Sequence, residues 1–176
     1  MNTSKLSLKQ FNWDVLVLLV VTFWLSSSAL LDFLLMPMMY EAGMMAGPNF
    51  ATAGYSIFWL FNRVELLCAA AILSGLLALR QRRSQFDVVT SGSQSRWALA
   101  ISGLLFAIAL TYTYVLTPHM SALGMNLSLD MSGEAAPVPA AMGYLHALYW
   151  GLEAVKLVAA GWLVKLCYRD IAALFE

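Results

Sequence analysis

The chain has 176 residues, of which 61% are hydrophobic and only 11% charged, with a mean hydropathy of +0.72. A soluble domain carries roughly 25% charged residues, and a globule this small has too little interior to hide so much apolar surface. Basic and acidic side chains cancel at ten each, so no charge surplus points to nucleic acid; a soluble enzyme, a nucleic-acid binder and a disordered chain are excluded, and a lipid bilayer is the expected partner.

Four apolar segments are each long enough to cross a bilayer, which takes about 20 helical residues. Unpaired backbone groups are too costly in lipid, so all four are expected to be helices. The first runs over 13–36, from Trp13 to the stop expected at Pro37. Lys5 and Lys9 precede it and Ser26-Ser27-Ser28-Ala29 interrupts it, as in a signal peptide. Its continuation through Leu30-Leu31-Asp32-Phe33-Leu34-Leu35 is too long for one, and a retained helix is expected. The second segment covers 55–79 and ends at Arg80, Arg82 and Arg83. The third covers 97–117, ahead of Pro118, and the fourth 141–168, ahead of Arg169.

Orientation follows from the basic residues. Lys5, Lys9, Arg80, Arg82, Arg83, Arg96, Lys165 and Arg169 flank one end of the segments, whereas the stretches 40–54 and 118–140 hold no Lys or Arg. The positive-inside rule then predicts both termini and the middle loop in the cytoplasm, with Trp13 and Trp97 in the inner aromatic belt.

The two halves resemble each other. Leu35-Met36-Pro37-Met38-Met39-Tyr40-Glu41-Ala42-Gly43-Met44 aligns with Leu116-Thr117-Pro118-His119-Met120-Ser121-Ala122-Leu123-Gly124-Met125. Phe61-Asn62-Arg63-Val64-Glu65 likewise resembles Tyr149-Trp150-Gly151-Leu152-Glu153. The expected fold is therefore all-α: an integral membrane four-helix bundle made of two tandem helical hairpins, related by an axis along the membrane normal.

Ionisable residues lie inside the spans. Counted at helical rise from the basic ends, Asp32 falls at ~28 Å, Arg63 at ~25 Å, Glu65 at ~22 Å, Glu153 at ~24 Å and Lys156 at ~20 Å. Asn62 adds an amide to this level, and Tyr112 and Tyr114 bring in the third helix. A mid-span charge costs ~2.5–3.5 kcal/mol on insertion scales, so these groups should face one another. Glu153 and Lys156 can pair at i, i+3, and Arg63 is expected to clamp Asp32 or Glu65. With three acids and two bases, either one carboxylate is protonated or a cation completes the layer. Polar glue that fixes helix register and a proton or cation site both remain open.

The methionines other than Met1 (Met36, Met38, Met39, Met44, Met45, Met120, Met125, Met131 and Met142) all fall toward the end remote from the arginines. His119 and His146 do too. Thioether and imidazole suit copper, with thioether selecting Cu(I), so Met36, Met38, Met39, His119, Met120 and His146 form a candidate metal set. Methionine is also a deformable apolar filler or docking surface, and the two histidines would permit haem ligation, though not covalent attachment. No nucleotide-binding glycine loop, zinc-protease helix or nucleophile elbow is present in the sequence, so no enzyme chemistry is expected. Cys68 and Cys167 fall at different depths and are not expected to pair.

Phe23-Trp24-Leu25-Ser26-Ser27-Ser28, Asp32-Phe33, Met36-Pro37 and the run from Gly54 to Leu66 resemble cyanobacterial membrane proteins of unknown function. Thr117-Pro118-His119-Met120 and Tyr144-Leu145-His146 resemble the wider transmembrane protein 205-like family, whose second half carries a Pro-containing turn followed by Phe-x-x-Leu-His; Tyr144-Leu145-His146 departs from that spacing. The resemblance implies a helical membrane fold, a thylakoid or plasma membrane, and a non-enzymatic accessory or assembly role beside other integral membrane proteins of a photosynthetic or respiratory complex. The alternative is copper or cation binding and transport through the Met/His set above the carboxylate layer.

Overall fold

The computed structural model describes residues 13–44, 50–85, 92–129 and 140–172. Lys5, Lys9, Met45 and Met131 lie outside the described residues, as do the side chains of Arg82 and Arg83. Four helices account for nearly all of the rest. Helix α1 runs over Trp13–Glu41, α2 over Phe50–Gln85, α3 over the continuous stretches Gly92–Thr111, Tyr112–Leu116 and Thr117–Leu129, and α4 over Ala140–Ala172. Each contains a stretch long and apolar enough to cross a membrane, and no strand occurs among the described residues.

The helices form a ring. Helix α1 packs on α2, α2 on α3, α3 on α4 and α4 on α1, while the diagonal pairs do not approach each other through their backbones. The centre is therefore filled by side chains alone. Between the layer described below and the arginine-bearing end (the arginine end), the interior is apolar apart from Ser102: Val17, Val21, Ala69, Ile72, Leu105, Ala109, Ala160 and Leu163 are all buried. Gly75 lets α1 and α2 come close, because a Cβ there would sit 2.5 Å from Val17 Cγ2. Small residues at helix crossings do this in membranes generally. No disulfide joins Cys68 and Cys167, which are both buried in this core.

The outward surface is lipid-like. Leu19, Phe23, Leu67, Leu104 and Val158 are exposed along the spans, as suits side chains that face lipid. Exposed Trp97 and Tyr168 mark the arginine end, and exposed Trp59, Tyr114 and Trp150 mark the other. Along α3 and α4 these markers are ~26 Å apart at helical rise, close to the thickness of a hydrocarbon core. The end beyond Trp59, Tyr114 and Trp150 carries Pro37 and Pro118 and is called the proline end.

The prolines do not stop their helices, contrary to the expectation from sequence. Helix α1 continues through Pro37 to Glu41, and α3 through Pro118 to Leu129. A proline has no N–H and its ring crowds the carbonyl four residues back. Each helix accommodates this by widening: Leu31–Leu35 and Tyr112–Leu116 are π turns, with Met36 N–H bonded to Leu31 O and Thr117 N–H to Tyr112 O. The offset that carries Pro37 onto Pro118 also carries one π turn onto the other. The repeat read in the sequence thus recurs as a backbone feature. Beyond Pro37, α1 ends at Gly43, whose positive φ of 68° suits the left-handed residue after a helix.

The close α1–α2 crossing predicts that Gly75→Ala lowers the thermal unfolding midpoint in detergent, at a cost of ~1–3 kcal/mol from overpacking. Adding Val17→Ala should recover part of that loss, measured as a positive coupling in the double-mutant cycle.

Candidate functional site

Helical periodicity places one polar stripe on each inward face. On α1, Trp24, Ser28 and Asp32 are spaced four apart and all three are buried. On α2, Asn62 and Glu65 share a face with Cys68, Ala69 and Ile72. On α4, Glu153 and Lys156 continue the face that carries Ala160 and Leu163. Helix α3 contributes Tyr112, above Leu105 and Ala109. Residues at i, i+3, i+4 and i+7 stack on one side of a helix, so four stripes at one height meet on the bundle axis.

Lys156 occupies that meeting point. Its side chain is 2% exposed, and Nζ lies 2.5 Å from Glu65 Oε1 and 2.7 Å from Glu153 Oε2. The first contact reaches across the diagonal between α4 and α2, which have no direct backbone packing. Glu65 Oε1 also accepts hydrogen bonds from Trp24 Nε1 at 2.8 Å and Ser28 Oγ at 3.1 Å. Glu153 Oε2 accepts one from Tyr112 Oη at 3.1 Å, and the same hydroxyl contacts Tyr149 O at 3.1 Å. Tyr149 Oη donates to Asp32 Oδ1 at 2.8 Å. Every helix contributes at least one partner. Both π turns supply one: Asp32 lies in the first and Tyr112 opens the second. Such widened turns commonly occur at functional positions.

Two carboxyl oxygens of the layer stay without a partner among the described residues. Asp32 Oδ2 and Glu153 Oε1 are both buried and accept no hydrogen bond. The two carboxyls are nonetheless within hydrogen-bonding reach of each other. On the proline side of this pair, Asn62 Nδ2 donates to Thr117 Oγ1 at 2.5 Å and Thr113 Oγ1 contacts Asn62 O at 3.3 Å. The rings of Tyr112 and Tyr149, 5.1 Å apart, and Phe58 against Tyr149 cover the site there.

Arg63 does not belong to the layer, which corrects the clamp expected from sequence. It is exposed, with its guanidinium 3.5 Å above the Trp59 ring and Nη1 3.4 Å from Trp59 O. The reason is angular. Glu65 and Asn62 point inward, and Arg63 lies between them in sequence but on the opposite side of α2 at 100° per residue. Its long stem carries the charge outward to the aromatic belt. The layer therefore holds three carboxyls and one ammonium rather than three and two. Tyr114, expected at the same level, is likewise exposed.

The Met/His set is dispersed. His119 Nδ1 and His146 Nδ1 face carbonyls of their own helices, Val115 O at 2.7 Å and Met142 O at 2.9 Å, and both side chains are exposed. Met120 packs against Tyr112, Leu116 and Ile108 as filler. Met39 is buried while the adjacent Met38 is exposed. The segments Met36–Glu41 and Thr117–Leu129 sit on diagonal helices and make no backbone contact. The structure therefore does not gather Met36, Met38, Met39, His119, Met120 and His146 into one coordination shell.

Trp24, Ser28 and Tyr149 belong to the layer and were not anticipated from sequence. Their spacing was the available signal, since Trp24-x-x-x-Ser28-x-x-x-Asp32 and Tyr149-x-x-x-Glu153 are single-face patterns. No family model, curated protein or solved structure matches this chain.

Removing Lys156 should be far more damaging than removing Arg63. Lys156→Met leaves two buried carboxylates without their shared ammonium and should cost ~3–5 kcal/mol. Arg63→Ala loses an exposed cation–π contact worth ~0.5–1 kcal/mol. Unfolding midpoints in a single detergent, compared for the two variants, check this ordering.

Proposed function

We propose that this chain is a non-enzymatic integral membrane protein that takes up a small cation at its buried charged layer. The observation that carries this is the three-to-one excess of carboxyl over ammonium groups among buried side chains at the middle of the bundle. Uncompensated charge there is expensive, and intramembrane ionisable residues commonly mark ion or proton pathways.

Access in this reading is from the proline end, past the Tyr112, Tyr149 and Phe58 rings that cover the site. Asn62, Thr113 and Thr117 continue the polar surface in that direction. Toward the arginine end lies the apolar core; among the described buried residues there, Ser102 is polar, and its hydroxyl is used by Leu99 O of its own helix. Beyond the layer an ion would meet, among the described buried residues, only that one engaged hydroxyl, so the layer acts as a one-sided binding site rather than a conduit. The cluster of Arg and Lys at the other end favours a cytoplasmic location for that end, which turns the binding side away from the cytoplasm. An accessory role beside a larger membrane complex would use the outward apolar surface, which lipid fits equally well.

Ligand-linked stability tests the proposal. A cation bound only by the folded state stabilises it by about 2.7 kcal/mol at a hundredfold excess over Kd. The midpoint of the purified protein should therefore rise with one of protons, Na⁺, Ca²⁺ or Cu⁺, and this response should vanish in Asp32→Asn/Glu153→Gln. For protons the midpoint rises as pH falls. A midpoint indifferent to all four rejects the proposal.

A further inference from the structure

The identity of the cation follows from the two orphaned oxygens. We infer that Asp32 and Glu153 share a single proton, held between Asp32 Oδ2 and Glu153 Oε1, and that this proton is the ion the layer binds. The inference rests on the cation-binding role proposed above and names its ligand.

The donor and acceptor count leads there. The outer oxygen of each carboxyl already has its donors: Tyr149 Oη on Asp32 Oδ1, and Tyr112 Oη with Lys156 Nζ on Glu153 Oε2. The remaining oxygens, Asp32 Oδ2 and Glu153 Oε1, are buried without a donor, and the two carboxyls they belong to lie close enough to interact. Two bare carboxylates can only accept, so as a fully ionised pair they leave two unsatisfied buried anionic oxygens in mutual repulsion. One proton between them makes one group a donor and the other its acceptor, and satisfies both. Like-charged carboxyls in contact share a proton for this reason.

The charged and titratable groups around the pair leave room for one positive charge. Helix α1 presents Asp32 itself. From α2 come Glu65, which is engaged by Lys156, Trp24 and Ser28, and Cys68 beside it. Helix α3 presents Tyr112, and α4 presents Tyr149, Glu153 and Lys156. Arg63 faces away. Fully ionised, the three carboxylates and one ammonium sum to a formal charge of minus two; with the shared proton the sum is minus one, spread over hydroxyl and indole donors. A metal ion fits less well. Ca²⁺ takes 6–8 oxygen ligands, whereas two oxygens are unengaged here. No group of three or more His, Cys, Asp or Glu that could hold a metal occurs among the described residues.

Infrared spectroscopy of the full-length protein in detergent or nanodiscs reads this directly. The wild type at neutral pH should show the C=O stretch of a protonated carboxyl with an amplitude of about one group per chain. Asp32→Asn and Glu153→Gln should each abolish it, and Glu65→Gln should leave it. Should these variants fail to fold, the wild-type band itself and its shift on ¹³C-carboxyl labelling of Asp and Glu keep the test decisive. Absence of the band in wild type overturns the inference, as does a band that survives either Asp32→Asn or Glu153→Gln. If the band is absent while a metal cation still raises the midpoint, the proton assignment falls and the cation-binding role stands. If no cation, proton included, changes the midpoint, both fall.

Discussion

One ammonium holds the centre of this bundle. Lys156 Nζ touches Glu65 on the diagonal helix and Glu153 one turn back on its own. The diagonal helices do not pack through their backbones, so this bridge is a direct tie across the ring. In water such a contact would be worth ~1 kcal/mol or less. In a water-excluded membrane layer the charges have no alternative partner, and separating them would leave a buried charge. The remaining hydrogen bonds of the layer follow from it. Trp24 and Ser28 complete Glu65, and Tyr112 completes Glu153. Tyr149 then fixes Asp32 beside it. Register between all four helices is set at one height.

The internal repeat explains how two glutamates reach the same lysine. The offset that carries Glu65 onto Glu153 places them equivalently in the two hairpins, so both project toward the axis between them. The same offset carries Cys68 onto Lys156. Symmetry is broken there, since a second lysine on the axis would lie against the first. The other repeated element, the π turn ahead of each proline, is broken in the same economical way. It contributes an acid from α1 and a phenol from α3, because Asp32 and Tyr112 occupy different positions within equivalent turns. A widened turn rotates the residues beyond it relative to a regular helix. Asp32, near the start of its turn, points inward through its four-residue spacing from Ser28.

Much of this was legible in the sequence, and the failures have physical causes. The spans were readable because bilayer crossing imposes an apolar length that nothing else in a chain this small requires. The height of the charged layer was readable too, since helical rise converts residue number to depth. Depth alone does not give azimuth. Depth puts Arg63 in the layer, whereas the angle between it and Glu65 on α2 sends it to Trp59 instead. The same omission hid Trp24, Ser28 and Tyr149, which share faces with residues that had been identified. A proline reads as a helix stop because it removes a backbone donor, but a helix can absorb the loss in one wide turn. The Met/His set was read from composition at one end of the molecule, and shared altitude did not bring those side chains together.

Lys156 is buried and in contact with both glutamates at once. Magnetic resonance of protein labelled with ¹⁵N-lysine and ¹³C-carboxyl glutamate, in a lipid nanodisc, measures this directly. One slowly exchanging ammonium signal is predicted, with through-space transfer to the carboxyl carbons of Glu65 and Glu153, and loss of one partner in each of Glu65→Gln and Glu153→Gln. A Lys156 ammonium that exchanges with water as fast as an exposed lysine, or that transfers to neither carboxyl, would contradict it.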